Sequence, residues 1–243
     1  MKKFELTTEQ KINWFGRTLY RIKACISFTT TSGDEVKAGD LGGFVEKESN
    51  LSHDGKAWVC GDAKVWGNAK VCGDAKVWGN AKVWGNAKVW DNAKVWGNAK
   101  VWDNAEVCGD AEVCGDAEVC GDASVFSTEH IFCVTPIGEY ANSLTLFRTK
   151  HLEIKISFEY ELYSVEEFKK VIDEWDDTKN REVALAVLEI GQKHIDLTPA
   201  VDEYEPCPFC GGEAEYNADS DVVVCTKCCA SADKKIWNSR VDD

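Results

Sequence analysis

From residue 55 to residue 126 the apolar and polar positions repeat with a period of six, in register through twelve hexads. Each hexad reads Gly/Asp, Asn/Asp, Ala, Lys/Glu, Val, Trp/Cys, as in Gly61-Asp62-Ala63-Lys64-Val65-Trp66. Ala and Val stand two apart and share one face of an extended segment, while Lys and Trp take the other. A helix is excluded, because a period of six smears Val around the helical turn. Gly followed by Asn or Asp tolerates positive φ and supplies a corner. A short fixed period marks a solenoid, in which each unit buries its apolar face only against its neighbours. Three such strands close a triangular coil of 18 residues. Twelve hexads therefore predict four coils, a prism about 19 Å tall at a strand spacing of ~4.8 Å. Asn50-Leu51-Ser52 offers an extension at the N-terminal end.

Stacking at 18-residue intervals sorts the sixth positions into three outer columns. One reads Cys60, Trp78, Trp96, Cys114, and a second Trp66, Trp84, Trp102, Cys120. The third reads Cys72, Trp90, Cys108, Phe126. The rings can stack along the axis as cross-strand ladders do. No Cys stands directly over another, so these five cysteines are expected to be free thiols. The columns have two readings. Trp and Lys simply cover the prism, or the apolar columns exceed what a monomer exposes and mark a docking surface, with a second copy as its simplest occupant.

The fourth position carries ordered charge. Lys64, Lys70, Lys76, Lys82, Lys88, Lys94 and Lys100 hold it first, and Glu106, Glu112 and Glu118 then replace them. From 55 to 102 there are 8 Lys against 3 Asp, and from 103 to 126 there are 7 acids and no base. All of these side chains are expected to point outward, so reversing the three Glu should barely affect folding. The acidic set is Asp103, Glu106, Asp110, Glu112, Asp116, Glu118 and Asp122. Lysines stacked ~4.8 Å apart repel by about 0.9 kcal/mol per pair in water. Neighbouring Asp residues offset that repulsion, or an anionic partner does.

Different patterns flank the repeat. Residues 1–54 read as a β-rich cap, with strands at Leu19 to Ile22 and Cys25 to Phe28 and a turn at Gly39 to Gly43. Residues 127–200 read as a small α+β module with strands at His130 to Val134, Leu144 to Thr149 and Glu153 to Glu159. Ser164-Val165-Glu166-Glu167 is a capping box, followed by Phe168, Val171, Ile172 and Trp175 on one helical face. Arg181 to Gly191 predicts a second helix. His130, His151 and His194 are scattered, without the partners that catalysis needs, and are read as structural or solvent-facing.

Composition narrows the functional classes. The formal net charge of −14 argues against direct nucleic-acid binding. No apolar run follows Met1-Lys2-Lys3 and no segment reaches the length of a membrane span, which predicts a cytoplasmic chain. The 12 Cys are then expected to be thiols or metal ligands, not a disulfide framework. In residues 201–243, Cys207-Pro208-Phe209-Cys210 and Cys225-Thr226-Lys227-Cys228 form two CxxC pairs with 14 residues between them. That spacing predicts one tetrahedral zinc held by Cys207, Cys210, Cys225 and Cys228, with a redox or disulfide pair as the alternative. Four protein ligands leave no open position, so the zinc is structural, and a segment this short draws its folding energy from the metal.

Two resemblances attach to these motifs. The hexads resemble the hexapeptide-repeat proteins, which implies a left-handed parallel β-helix; the handedness comes from the resemblance alone. Many of those proteins are acyltransferases, but their chemistry needs a general base, and no His occurs between 54 and 129. No hexad is interrupted by a lid, so a non-enzymatic chain is expected. "AGDLGGFVE", the hexads and "PIG…LTLFRTK" together resemble proteins encoded by bacteriophages and prophages. "CPFCGGEAE…VVCTKC…IWNSR", including Trp237, Asn238 and Arg240, resembles the restriction-alleviation (Lar-like) zinc ribbons of phages and prophages. Cys229 departs from that pattern, which usually has Gly after the fourth ligand.

The combined expectation is a mainly β chain: a left-handed β-helix with an α+β module and a C-terminal zinc ribbon. The expected function is antagonism of a host defence system, in the bacterial cytoplasm, through contact with a host protein. The outward acids and the six Trp of the columns would supply the contact. A scaffold oligomerising through the solenoid is the main alternative, and capture of a small anionic nucleotide between Lys and Trp is a third.

Overall fold

The computed structural model describes residues 2–138, 140–199, 214–217, 222–225 and 231–233. Residues 1–196 and 197–243 form two units. The first unit is built on a β-solenoid of stacked parallel coils. The cap contributes β1 (Phe4–Ile12), β2 (Thr18–Ala24), the short pair β3 (Phe28–Thr29) and β4 (Glu35–Val36), and β5 (Leu41–Val45). Each hexad then forms one two-residue strand, from β6 (Trp58–Val59) to β17 (Ser124–Val125).

The strands pair in parallel at the 18-residue spacing: Val65 with Val83, Val101 and Val119, and likewise Val59 and Val71 with their columns. Every Ala and Val of the repeat is buried, so the interior is filled by the two small apolar residues that the pattern places inward. The corners take positive φ at the first position of each hexad, and Asp91 and Asp103, which replace the Gly there, keep it (55° and 58°).

The solenoid starts earlier than the repeat. β5 pairs in parallel with β7 (Lys64–Val65), and Leu51 bridges Val71, so one face carries five parallel strands and the coil makes about five turns. Gly42 and Gly43, read from sequence as part of a turn, lie within β5. A Cβ on Gly42 would stand 2.6 Å from the Val59 carbonyl oxygen, and one on Gly43 2.7 Å from that of Ala63. These glycines permit close backbone approach. Asn50 is buried and its amide donates to the carbonyls of Gly67 and Ala69, closing the first turn where the repeat has not yet begun.

Both ends of the coil are covered. At the start, β1 and β2 run antiparallel onto β5, and the fully buried Lys3 donates its ammonium to the carbonyls of Asp54, Gly55 and Ala57. β1 had no counterpart in the sequence reading. At the finish lies a four-stranded antiparallel sheet of β18 (Ile131–Ile137), β19 (Asn142–Arg148), β20 (Ile154–Phe158) and β21 (Glu161–Ser164). Arg148 in that sheet is fully buried, donates to the Ser124 carbonyl and covers the Phe126 ring at 4.6 Å. Two helices complete the module, α1 (Val165–Asp173) and α2 (Thr178–His194). The capping box is present: Ser164 Oγ accepts from Glu167 N and Glu167 accepts from Ser164 N. Phe168 and Ile172 of α1 are buried; Trp175 lies beyond the end of the helix.

The second unit contributes an antiparallel sheet of β22 (Ala214–Asn217), β23 (Val222–Cys225) and β24 (Ser231–Asp233). Among the described residues no helix is long and apolar enough to cross a membrane.

Candidate functional site

The corners and outer faces of the solenoid carry the residues singled out from the sequence. Trp66, Trp84 and Trp102 stack with ring centroids 5.0 Å apart and planes within a few degrees of parallel. Trp78 and Trp96 stack at 4.9 Å. Trp90 has Cys at both neighbouring coils and Lys88 above its ring at 5.9 Å. The stacked rings cover one another's faces. Trp66 is buried under Phe15, Leu19 and Phe44, and the other five are only partly exposed. The columns are thus less exposed than the sequence suggested, because ring-on-ring contact and the cap hide much of their area. Cys60, Cys72, Cys108, Cys114 and Cys120 are not in disulfides, as the column geometry requires.

Beside the ladders run amide ladders. Asn68 donates to Asn86 (3.2 Å) and Asn86 to Asn104 (3.1 Å); Asn80 donates to Asn98 and Asn98 to Asp116. Asn92 donates to Asp110. Each Nδ2 thus meets the Oδ1 one coil further on, and Asp serves as a final acceptor.

The charges pair across the junction between the basic and acidic coils. Lys88 binds Glu106 (2.7 Å), Lys94 binds Glu112 (2.8 Å) and Lys100 binds Glu118 (2.6 Å). Burial disfavours the Lys100 charge, but Glu118 and the Tyr160 hydroxyl outweigh it and hold its pKa above the ordinary lysine value. Asp122 faces Lys150 at 3.3 Å. The axial field is therefore partly cancelled at its centre. Lys64, Lys70 and Lys82 have no ion pair among the described residues; burial first, then the Lys82 charge one coil below, lowers the pKa of Lys64.

The expectation that all three repeat Glu point outward fails at Glu118. It is buried beneath the α+β module, where Glu118 N donates to Thr145 Oγ1 and Ser157 Oγ to its carboxylate. Of the seven predicted acids, Asp103, Asp110 and Asp116 are exposed corner residues with no cationic partner among the described residues. These three form what remains of the acidic surface.

Of the predicted metal ligands, Cys207, Cys210 and Cys228 lie outside the described residues, as does Cys229; Cys225 ends β23. His130 is buried and its Nδ1 accepts from Phe126 N at 3.2 Å, whereas His151 is exposed. Sequence reasoning missed two features. The β1–β2 hairpin tip exposes Ile12, Trp14 and Phe15, and the tell-tale was three large apolar residues around a turn-forming Asn13 and Gly16. A cleft of ≈ 660 Å³ opens in the module beside Trp175, for which Trp175-Asp176-Asp177 was the available signal. No protein-family model matches this chain, and no curated protein matches it.

Proposed function

We propose that this chain is a non-enzymatic phage or prophage accessory protein that antagonises a host defence system by binding a host protein. The observation that carries the reading is the pair of covered ends. A scaffold growing head to tail would need open coil edges, yet Lys3 and the cap cover one end and Arg148 and its sheet the other. That favours contact through the sides, where Asp103, Asp110 and Asp116 have no cationic partner among the described residues. Cys207, Cys210, Cys225 and Cys228 would hold one structural zinc, for which four thiolates in two CxxC pairs are the fitting donor set. The metal's contribution is folding energy for that ribbon.

The test is the plating efficiency of unmodified phage on a restricting host, with and without the protein. Asp103→Asn, Asp110→Asn and Asp116→Asn combined should abolish protection. The fold should survive, since Asn tolerates positive φ and retains the Oδ1 that accepts from Asn92 and Asn98. No protection by the wild type against restriction or any other defence tested overturns the reading. Elemental analysis should find one zinc per chain, and its absence overturns the metal assignment.

A further inference from the structure

The cleft in the α+β module is walled by aromatic rings from separate elements. Phe158 ends β20, Tyr163 lies on β21, Trp175 follows α1, and Tyr140 stands on the loop between β18 and β19. Phe158 and Trp175 meet at 5.7 Å with planes tilted by 37°, so they form a corner and not a sealed stack. Gly138 completes this wall: a Cβ there would lie 3.5 Å from Trp175 and 3.8 Å from Phe158. Tyr140 is three-quarters exposed, a large ring with little packing reason for its place.

Carboxylates rim the same cleft. Glu159, Glu174, Asp176 and Asp177 all line it, and no Lys or Arg does among the described residues. Asp177 has a structural task, since its carboxylate accepts from Lys179 N and Asn180 N as the cap of α2. Glu159 accepts from Asn142 Nδ2 at 2.5 Å. Glu174 and Asp176 have no ion pair among the described residues. Glu174 also sits at the C-terminal end of α1, where the helix dipole is negative and a carboxylate is unfavourable. The Arg181 guanidinium donates to the Trp175 carbonyl behind this wall, so one cation stands against four carboxylates. Four rings and that excess of negative charge around one cavity make the environment that attracts an organic cation, through the ring faces and Coulomb attraction together.

We propose that this cleft is a binding site for an organic cation, an alkylammonium or guanidinium group. This goes beyond the antagonist reading and stands without it, because it uses none of the corner acids. The group can belong to a free small-molecule alkylammonium or to a Lys or Arg side chain of a protein. The ligand enters between Tyr140 and Trp175, with its charge toward Glu159, Glu174 and Asp176.

The experiment titrates the full chain and follows the Trp175 indole N–H by NMR, assigned with Trp175→Phe. The probes are choline, its uncharged isostere 3,3-dimethylbutanol, and the N-acetyl amides of lysine and arginine. Expected is saturable millimolar binding of the cations, with the isostere roughly tenfold weaker or worse. The tighter cation identifies the source, choline for a free small-molecule alkylammonium and the amino-acid amides for a protein side chain. Glu174→Gln with Asp176→Asn should weaken binding about tenfold, and Tyr140→Ala should weaken it while leaving the thermal midpoint unchanged. Equal binding of 3,3-dimethylbutanol would reduce the cleft to an apolar hollow and overturn the proposal. So would no saturable shift with any cation.

Discussion

Glu118 provides the sharpest test of how the solenoid and its module are joined. Its carboxylate and the Lys100 ammonium lie 2.6 Å apart with side chains only 10% and 20% exposed, whereas the equivalent Lys94–Glu112 pair is 36% and 38% exposed. An exposed pair contributes up to about 1 kcal/mol, so Glu112→Gln should cost less than that. Removing one partner of a buried pair strands the other charge and costs about 3 kcal/mol. Glu118→Gln should therefore destabilise by about 3 kcal/mol, and it also weakens the bond from Ser157. The assay is urea unfolding of the full chain, followed by far-ultraviolet circular dichroism, with a double-mutant cycle to Lys100→Met. Because the pKa of Lys100 is raised in the fold, its stabilisation is fully present below the unfolded value of 10.5 and is lost as pH rises through the higher folded value. Equal effects at Glu112 and Glu118, or no coupling between Glu118 and Lys100, would refute the argument. Because Glu118 is buried, reversing all three repeat Glu is not a neutral surface change.

Three other expectations follow from the core and its ends. Gly43→Ala should destabilise by about 1–3 kcal/mol in the same urea assay, since its methyl would press on the Ala63 carbonyl, a backbone atom with nowhere to move. Lys3 has its pKa lowered to about 8 by burial, tempered by Asp54 and Asp74. Between pH 8 and 10.5 the unfolded chain then binds more protons than the folded one, so unfolding free energy should rise with pH by up to about 3 kcal/mol. Lys3→Met should remove that rise, and identical pH profiles would contradict it. The Cys120 thiol, pushed up to about 12 chiefly by burial, should alkylate last at pH 8, with exposed Cys25 first, as read by peptide mass mapping.

The solenoid was legible because its physics is local and repeated. Ala and Val alternate with polar neighbours in every hexad, so one register satisfies all twelve, and the 18-residue column follows from closing three strands. The parallel pairing of Val65, Val83 and Val101 is that reading realised. The extension at Asn50-Leu51-Ser52 was legible and Leu51 does bridge Val71, but β5 before it escaped because it lacks the repeat and reaches the same geometry by other chemistry. Asn50 supplies a side-chain amide to two backbone carbonyls. Gly42-Gly43 looks like a turn in sequence, yet glycine is demanded there by approach to another strand. Nothing local distinguishes the two uses of glycine.

The same limit explains the errors of exposure. Glu106, Glu112 and Glu118 occupy one position of one repeat, and only the chain beyond residue 127 decides that the last is buried. Trp175 fits the apolar stripe of α1 by spacing, but the helix ends at Asp173 and releases the ring to wall a cleft. A periodic pattern reports which way a side chain leaves the backbone. What meets it there is set by segments that share no period with it. Two features of this chain are of that second kind: the burial of Glu118 under the module, and a cleft assembled from a strand end, a loop and a helix end. That is why the solenoid could be read from six residues, while the surroundings of its side chains could not.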